Sequence, residues 1–438
     1  MEHAQVEIEG DRILYVGSRR HTPLPTLDLG NAVLLPGLVN AHTHLEYTLF
    51  RGLLEDIDFF PWIRELTARK ASLEDRHWTA SATVGAMEVA AAGTTTIADC
   101  TDSGAALIGA KRVGLRGVVY QEVFGIDETR STTEIIDELS LKVKALRWAA
   151  AGTSITVGIS PHSPYTVRPQ LFEALHSMLS SDSMPVCIHA AESQAEAALL
   201  RTGTGPIAEM YRRRGIAWTP PGCSTIAYLN RMGLLSPQTL LVHTVQMSAG
   251  DRKLLQQTGA ALVHCPRSNA KLGNGVAPLH LMREAYADAA PIGLGTDSAA
   301  SANNLDMWEE MRFTALMQRA HRSRVGCISA AQVLEMGTIG GARALGMAHR
   351  IGSLEPGKLA DLCAVRLDTL SMHPCYDPVQ ALIYSASAKD VAMTMVGGRI
   401  LFGEGAETTG NIAETLADFE DGAARMRRWQ PPNQTGLS

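Results

Sequence analysis

A chain of 438 residues with 45% hydrophobic and 19% charged side chains has the composition of a folded globular enzyme. It exceeds one ordinary domain, which suits a barrel of about 250 residues with an accessory domain. The net charge of −6, spread without any block of like charge, argues against the basic footprint of a nucleic-acid binder. Seven cysteines (Cys100, Cys187, Cys223, Cys265, Cys327, Cys363 and Cys375) are scattered, odd in number and without a Cys-x-x-Cys pair, which argues against a disulfide framework or a thiolate zinc site.

The opening MEHAQVEIEGDRILYVG alternates as a strand does and lacks the basic start and apolar run of a signal peptide. No run reaches the length of a membrane span. The expected setting is therefore the cytoplasm, with a small-molecule partner, no nucleic acid and no membrane; a homo-oligomer is left open. Residues 1–36 read as short strands between Gly and Pro turns, and 350–405 read the same way. Together they are expected to form one small β-sandwich domain, discontinuous in sequence.

Between them, 37–349 carry the rhythm of a parallel α/β fold. AVLLPGLVNAHTH, TTTIADC, RGVVYQEV, ITVGISPH, PVCIHAAE, TLLVHTV, AALVHCP and PIGLGTDS are eight apolar runs separated by helical patterns. Eight such strands close a (β/α)8 TIM-like barrel. Ser72 followed by Asp75 reads as the start of a long apolar-faced helix that Gly93 ends. The final segment, 406–438, is expected to hold a short helix and a mobile end.

Polar residues recur at the C-terminal ends of these runs: His42, His44, Asp99, His162, His189, His243, His264 and Asp297. In such barrels that end carries the active site. His42 and His44 alternate on one strand, so both imidazoles point to the same side. With His189, His243 and Asp297 they make a set of imidazoles and a carboxylate suited to one divalent ion, zinc first and ferrous iron second. Glu192, three residues past His189, leaves the strand end near that ion and could shuttle protons; the same position also suits a helix N-terminal acid. Strand four holds no lysine, so a carbamylated lysine bridging two metals has no source.

The segments PGLVNAHTHLE, PHSPY, HAAES, LVHT, HCPRSNAKLGNGVAPL and GTDSAASANNLDMWEEMR resemble the cytosine-deaminase-like and chlorohydrolase-like branch of the amidohydrolase superfamily. The likeness runs over nearly the whole chain, including the return GSLEPGKLADL. It implies that His42, His44, His189 and Asp297 bind the metal while Glu192, His243 and Asp297 act on water and substrate. The activity implied is hydrolytic deamination of an aminopurine. A triazine chlorohydrolase, a guanine or cytosine deaminase and a non-catalytic scaffold are the alternatives.

The long segment after His44, LEYTLFRGLLEDIDFFPWIRELTARKASLEDR, resembles the loop of deaminases for adenosines modified at the 5′ carbon, including S-adenosylhomocysteine and methylthioadenosine. That implies substrate contacts from Trp62, Glu74 and His162, although Trp62 could serve as loop core and Glu74 as a first-turn helix acid. Arg267, in HCPRSN, has a planar fork suited to a carboxylate. Gln121 and Glu122 stand near where an arginine for the amino-acid tail of S-adenosylhomocysteine is expected, which disfavours that substrate, with an S-adenosylhomocysteine/methylthioadenosine deaminase kept as the alternative. The finest expectation is thus an adenosine bearing an aromatic carboxylate at its 5′ end, aminodeoxyfutalosine. Pairing of Arg267 with a neighbouring acid is the competing reading.

Overall fold

The computed structural model describes residues 2–23, 25–286, 289–406 and 411–429. Strands β1 (Ala4–Glu9) and β2 (Arg12–Ser18) form an antiparallel hairpin. β3 (Ala32–Pro36) is followed by β4 (Leu38–His44), β5 (Thr94–Thr101), β6 (Arg116–Val123) and β7 (Ile155–Pro161). Then come β8 (Val186–Ala190), β9 (Thr239–His243), β10 (Ala261–His264), β11 (Ile292–Leu294) and the two-residue β12 (Asp297–Ser298). β13 (Leu362–Arg366), β14 (Val391–Val396) and β15 (Arg399–Gly403) complete the set.

Strands β4 to β11 pair in parallel, each with the next, and β11 returns to β4 through Leu294 beside Asn40. The result is a closed eight-stranded barrel surrounded by helices. Its strands are buried on both faces, so they read as continuous apolar runs, yet the pleat still sorts them. Val118, Leu240, Val242 and Val263 fill the interior, while Val119, Leu241 and Leu262 pack outward against helices.

The eighth strand is interrupted at 295–296 and resumes as β12, which pairs Asp297 with Thr43 and Ser298 with His44. Asn40 bridges the gap: its Nδ2 donates to Thr296 Oγ1 at 2.8 Å and its Oδ1 accepts from Thr296 N at 3.1 Å. Gly295 is required there, because a Cβ would stand 2.7 Å from the His42 carbonyl.

The run AVLLPGLVNAHTH is two strands, where the sequence suggested one. β3 leaves the barrel and pairs antiparallel with β13 in a separate sheet ordered β15-β14-β13-β3. Gly37 is the pivot between them: its N–H donates to the Asp361 carbonyl at 2.9 Å, and a Cβ would collide with Thr95 at 2.1 Å. The β1–β2 hairpin shares an apolar cluster with this sheet, in which Ile13 meets Leu362 and Met393.

The segment after His44 contains the helix Phe59–Lys70, then the helix Asp75–Ala91. Ser72 does not begin the second helix; its hydroxyl donates to the Arg69 carbonyl and closes the first, and Glu74 takes the N-cap position. A C-terminal helix, Ile412–Arg428, lies against Asp75–Ala91. The expected mobile end, 430–438, falls outside the described residues. Among the described residues no helix is long and apolar enough to cross a membrane.

Candidate active site

The barrel closes its C-terminal rim around a cluster of imidazoles. His42 and His44 descend from the end of β4 with ring centroids 4.9 Å apart. His189, from β8, lies 4.9 Å from His42 and 5.5 Å from His44, and His243, from β9, lies 5.5 Å from His189. Asp297, opening β12, brings Oδ1 to 3.7 Å from His42 Nε2 and 3.6 Å from His44 Nε2. All five side chains are buried.

The donor set fits a divalent cation. His42 Nε2 is buried without a hydrogen-bond partner, and His42, His44 and Asp297 place ligand atoms within 4.8 Å of one another, as do His42, His189 and His243. Burial and neighbouring imidazoles hold the His44 proton affinity down to about 3 and that of His243 to about 4, so both rings are neutral lone-pair donors. His42 differs. Burial opposes its charge, but Asp297 and Cys187 overcome that and raise it to about 10. Asp297 itself is held well below the carboxylate range, against its burial, chiefly by His42. The pocket therefore favours one positive charge beside Asp297, which is where a metal ion would sit.

Second nitrogens and carboxylate oxygens are fixed by groups around the cluster. His189 Nδ1 faces the His162 carbonyl at 3.0 Å, and His243 Nδ1 faces Asn269 Oδ1 at 3.0 Å. Each Nδ1 thus carries the proton and leaves Nε2 free. Asp297 Oδ2 accepts from Ser268 at 2.6 Å and Ser301 at 3.2 Å. His243 and Asp297 both adopt left-handed backbone, φ 73° and 57°, a local strain typical of positions set for function.

Glu192 stands 3.8 Å from His243 Nε2, almost fully buried, and Asn274 Nδ2 donates to its Oε1 at 3.1 Å. Burial first, and the charge of Asp297 second, push its carboxyl up to about 8. Glu196 receives the backbone N–H groups of Ala191 and Glu192, both at 2.8 Å, and so holds the turn that aims Glu192.

Asn269, Ser268, Asn274 and Glu196 were not singled out in the sequence. Three of them sit in HCPRSNAKLGNG, where the short polar side chains were a signal.

The sequence-predicted substrate contacts fare unequally. His162 joins the cluster, its ring stacked 4.7 Å from His189 and its Nδ1 facing Thr166 Oγ1 at 2.9 Å. Trp62 is buried in the helix Phe59–Lys70 with its indole nitrogen unpartnered. Glu74 is turned away: half exposed at a helix start, it pairs with Arg76 at 3.0 Å and Arg425 at 2.6 Å.

Arg267 is a correction too. Its Nε donates to Glu310 at 2.5 Å, Nη1 to Asn304 Oδ1 at 2.6 Å and to Glu309, and Nη2 to the Asn304 carbonyl at 2.9 Å. Two carboxylates already neutralise the fork, so it is no free anion site; the competing reading, in which it shapes the loop, is the one the geometry follows.

Residues 33–401 match the Amidohydrolase family. The chain belongs to that family. This amidohydrolase is 31% identical over 437 residues to a 5-methylthioadenosine/S-adenosylhomocysteine deaminase of Nitratidesulfovibrio vulgaris, covering 98% of this chain and 93% of that protein. A protein of the same name from Moorella thermoacetica is 34% identical over 422 residues, 94% and 92% of the two chains. Among solved structures, an adenosine deaminase from Xanthomonas campestris with bound zinc superimposes with a TM-score of 0.85 at 28% identity, over 98% and 94% of the chains. An atrazine chlorohydrolase from Arthrobacter aurescens, at 21% identity and a TM-score of 0.81 over 96% and 95%, shares the fold. The amidohydrolase is accordingly a hydrolase acting on C–N bonds other than peptide bonds.

Proposed function

We propose that this amidohydrolase is a metal-dependent deaminase that releases ammonia from an adenosine modified at its 5′ position. The observation that carries the reading is Glu192: a buried carboxyl, raised to about 8 by that burial, 3.8 Å from His243 and beside the His/Asp cluster. His42, His44, His189 and Asp297 would hold the ion, zinc by the precedent of the Xanthomonas structure. When bound, such an ion lowers the pKa of a coordinated water toward about 7.

The chain's own groups do the rest. His243, neutral and fixed by Asn269, orients the attacking water. Asp297 takes its proton. Glu192 gives its proton to the ring nitrogen next to the amine-bearing carbon, which makes that carbon electrophilic; Asp297 passes the proton it took from water to the departing amine, Glu192 recovers one from the new hydroxyl, and ammonia leaves. Protonating the ring nitrogen would assist loss of chloride as well, so the choice of an amine leaving group rests on the names of the curated relatives. His162 and Trp62 are the proposed contacts to the nucleoside.

For the 5′ group, a carboxylated substrate such as aminodeoxyfutalosine rested on a free Arg267, and its ion pairs withdraw that support. The names of the curated relatives favour a thioether instead. A panel of methylthioadenosine, S-adenosylhomocysteine, aminodeoxyfutalosine, adenosine, adenine, guanine, cytosine and a chlorotriazine, scored by product release, tests this. The expected result is a kcat/KM for a 5′-thioadenosine at least about tenfold above that for adenine, or 1.4 kcal/mol in transition-state binding. Preference for a free base or the triazine would overturn the nucleoside assignment.

A further inference from the structure

His42 is tied down differently from His189 and His243. Its Nε2 faces Asp297, so as a metal ligand it must carry its proton on Nδ1. His189 and His243 each present Nδ1 to an oxygen, a carbonyl and an amide. His42 presents Nδ1 to sulfur: Cys100 Sγ lies 4.0 Å away, and Cys187 completes a triangle in which the three ligand-type atoms lie within 4.8 Å of one another. All three residues are fully buried. The thiols come from separate strands, β5 and β8, and belong to the interior layer of the barrel beneath the site.

We propose that Cys100 and Cys187 are positioning residues for His42: the thiol pair accepts the Nδ1–H and holds the ring with Nε2 turned toward the ion. The proposal rests on His42 being a ligand. Thiol sulfur is a weak acceptor, so His42 is a less polarised donor than His189 or His243, and the pair sets how tightly the ion is kept. Oxygen acceptors in this position change metal affinity about 10–100-fold when removed, and the weaker sulfur pair stands toward the lower end of that range.

The experiment follows metal retention rather than turnover. The holoenzyme and its Cys100→Ala/Cys187→Ala double variant are titrated with a chelator, and both are also prepared with cobalt for the visible spectrum. The expected result is a loss of affinity toward the lower end of about 10–100-fold with a changed cobalt spectrum. Serine at both positions, which restores an acceptor, should recover much of the affinity. Cys265→Ala, which removes another buried thiol of the same layer, should leave both readouts alone. Thermal unfolding of the metal-free forms separates any cavity cost. A double alanine variant with parental affinity and spectrum overturns the role of the thiols. A parent chain that takes up no metal overturns the ligand assignment of His42 instead.

Discussion

In the proposed reaction Glu192 acts as an acid only while it is protonated, and its environment fixes where that ends. Burial, then the negative charge of Asp297, raises the carboxyl to about 8, so the acid form dominates through neutral pH and is lost as pH rises through that value. The kcat/KM profile should fall about tenfold per unit above that value. Glu192→Gln should keep the metal yet lower kcat by about 10²–10⁴-fold, read by metal analysis beside ammonia release. An active, metal-bound Gln variant would remove the proton shuttle. Residues at this scale were legible when they stood in strand register, as His42, His44, His189, His243 and Asp297 did. Arg267 and Glu74 each kept two readings because their partners are distant in sequence: Glu309 and Glu310 for one, Arg425 for the other.

Elements place these residues, and β4 does the most. It carries two imidazoles, pairs with β5 on one side and with both halves of the eighth strand on the other. Its entry is set by Gly37, where the chain passes from the separate sheet into the barrel against Thr95. Gly37→Ala would push a methyl group into that buried threonine, and overpacking of this kind costs about 1–3 kcal/mol. A matching loss in denaturant unfolding is expected, with weaker metal retention because His42 and His44 lie five and seven residues along the same strand. Unchanged stability would show that the pivot has slack. The sequence read the two strands as one because both are apolar and only a Pro-Gly step divides them.

The barrel and the separate sheet meet through a buried ion pair at the end of the barrel remote from the site. Arg116, opening β6, reaches Asp361 through two bonds of 2.6 and 3.1 Å, and the Gly397 N–H adds a third at 2.8 Å. Asp361→Ala would strand a buried guanidinium, a defect worth about 3–5 kcal/mol. The midpoint of unfolding should fall accordingly while the folded fraction keeps its kcat, since no residue of the cluster touches the pair. A loss of kcat without loss of stability would contradict this division between scaffold and site.

By itself the sequence determined the eight strands, their parallel order and the imidazole and carboxylate set at their ends, because buried parallel strands write themselves as apolar runs and barrel enzymes place their chemistry where those runs stop. Tertiary structure decided what each polar group faces. It committed Arg267 to two glutamates, turned Glu74 out to the C-terminal helix, gave His243 its amide and His42 its thiols, and buried Glu192, which raises its carboxyl. Hydrogen bonds and charge depend on distances across the fold, and residues that meet there lie up to hundreds of positions apart along the chain.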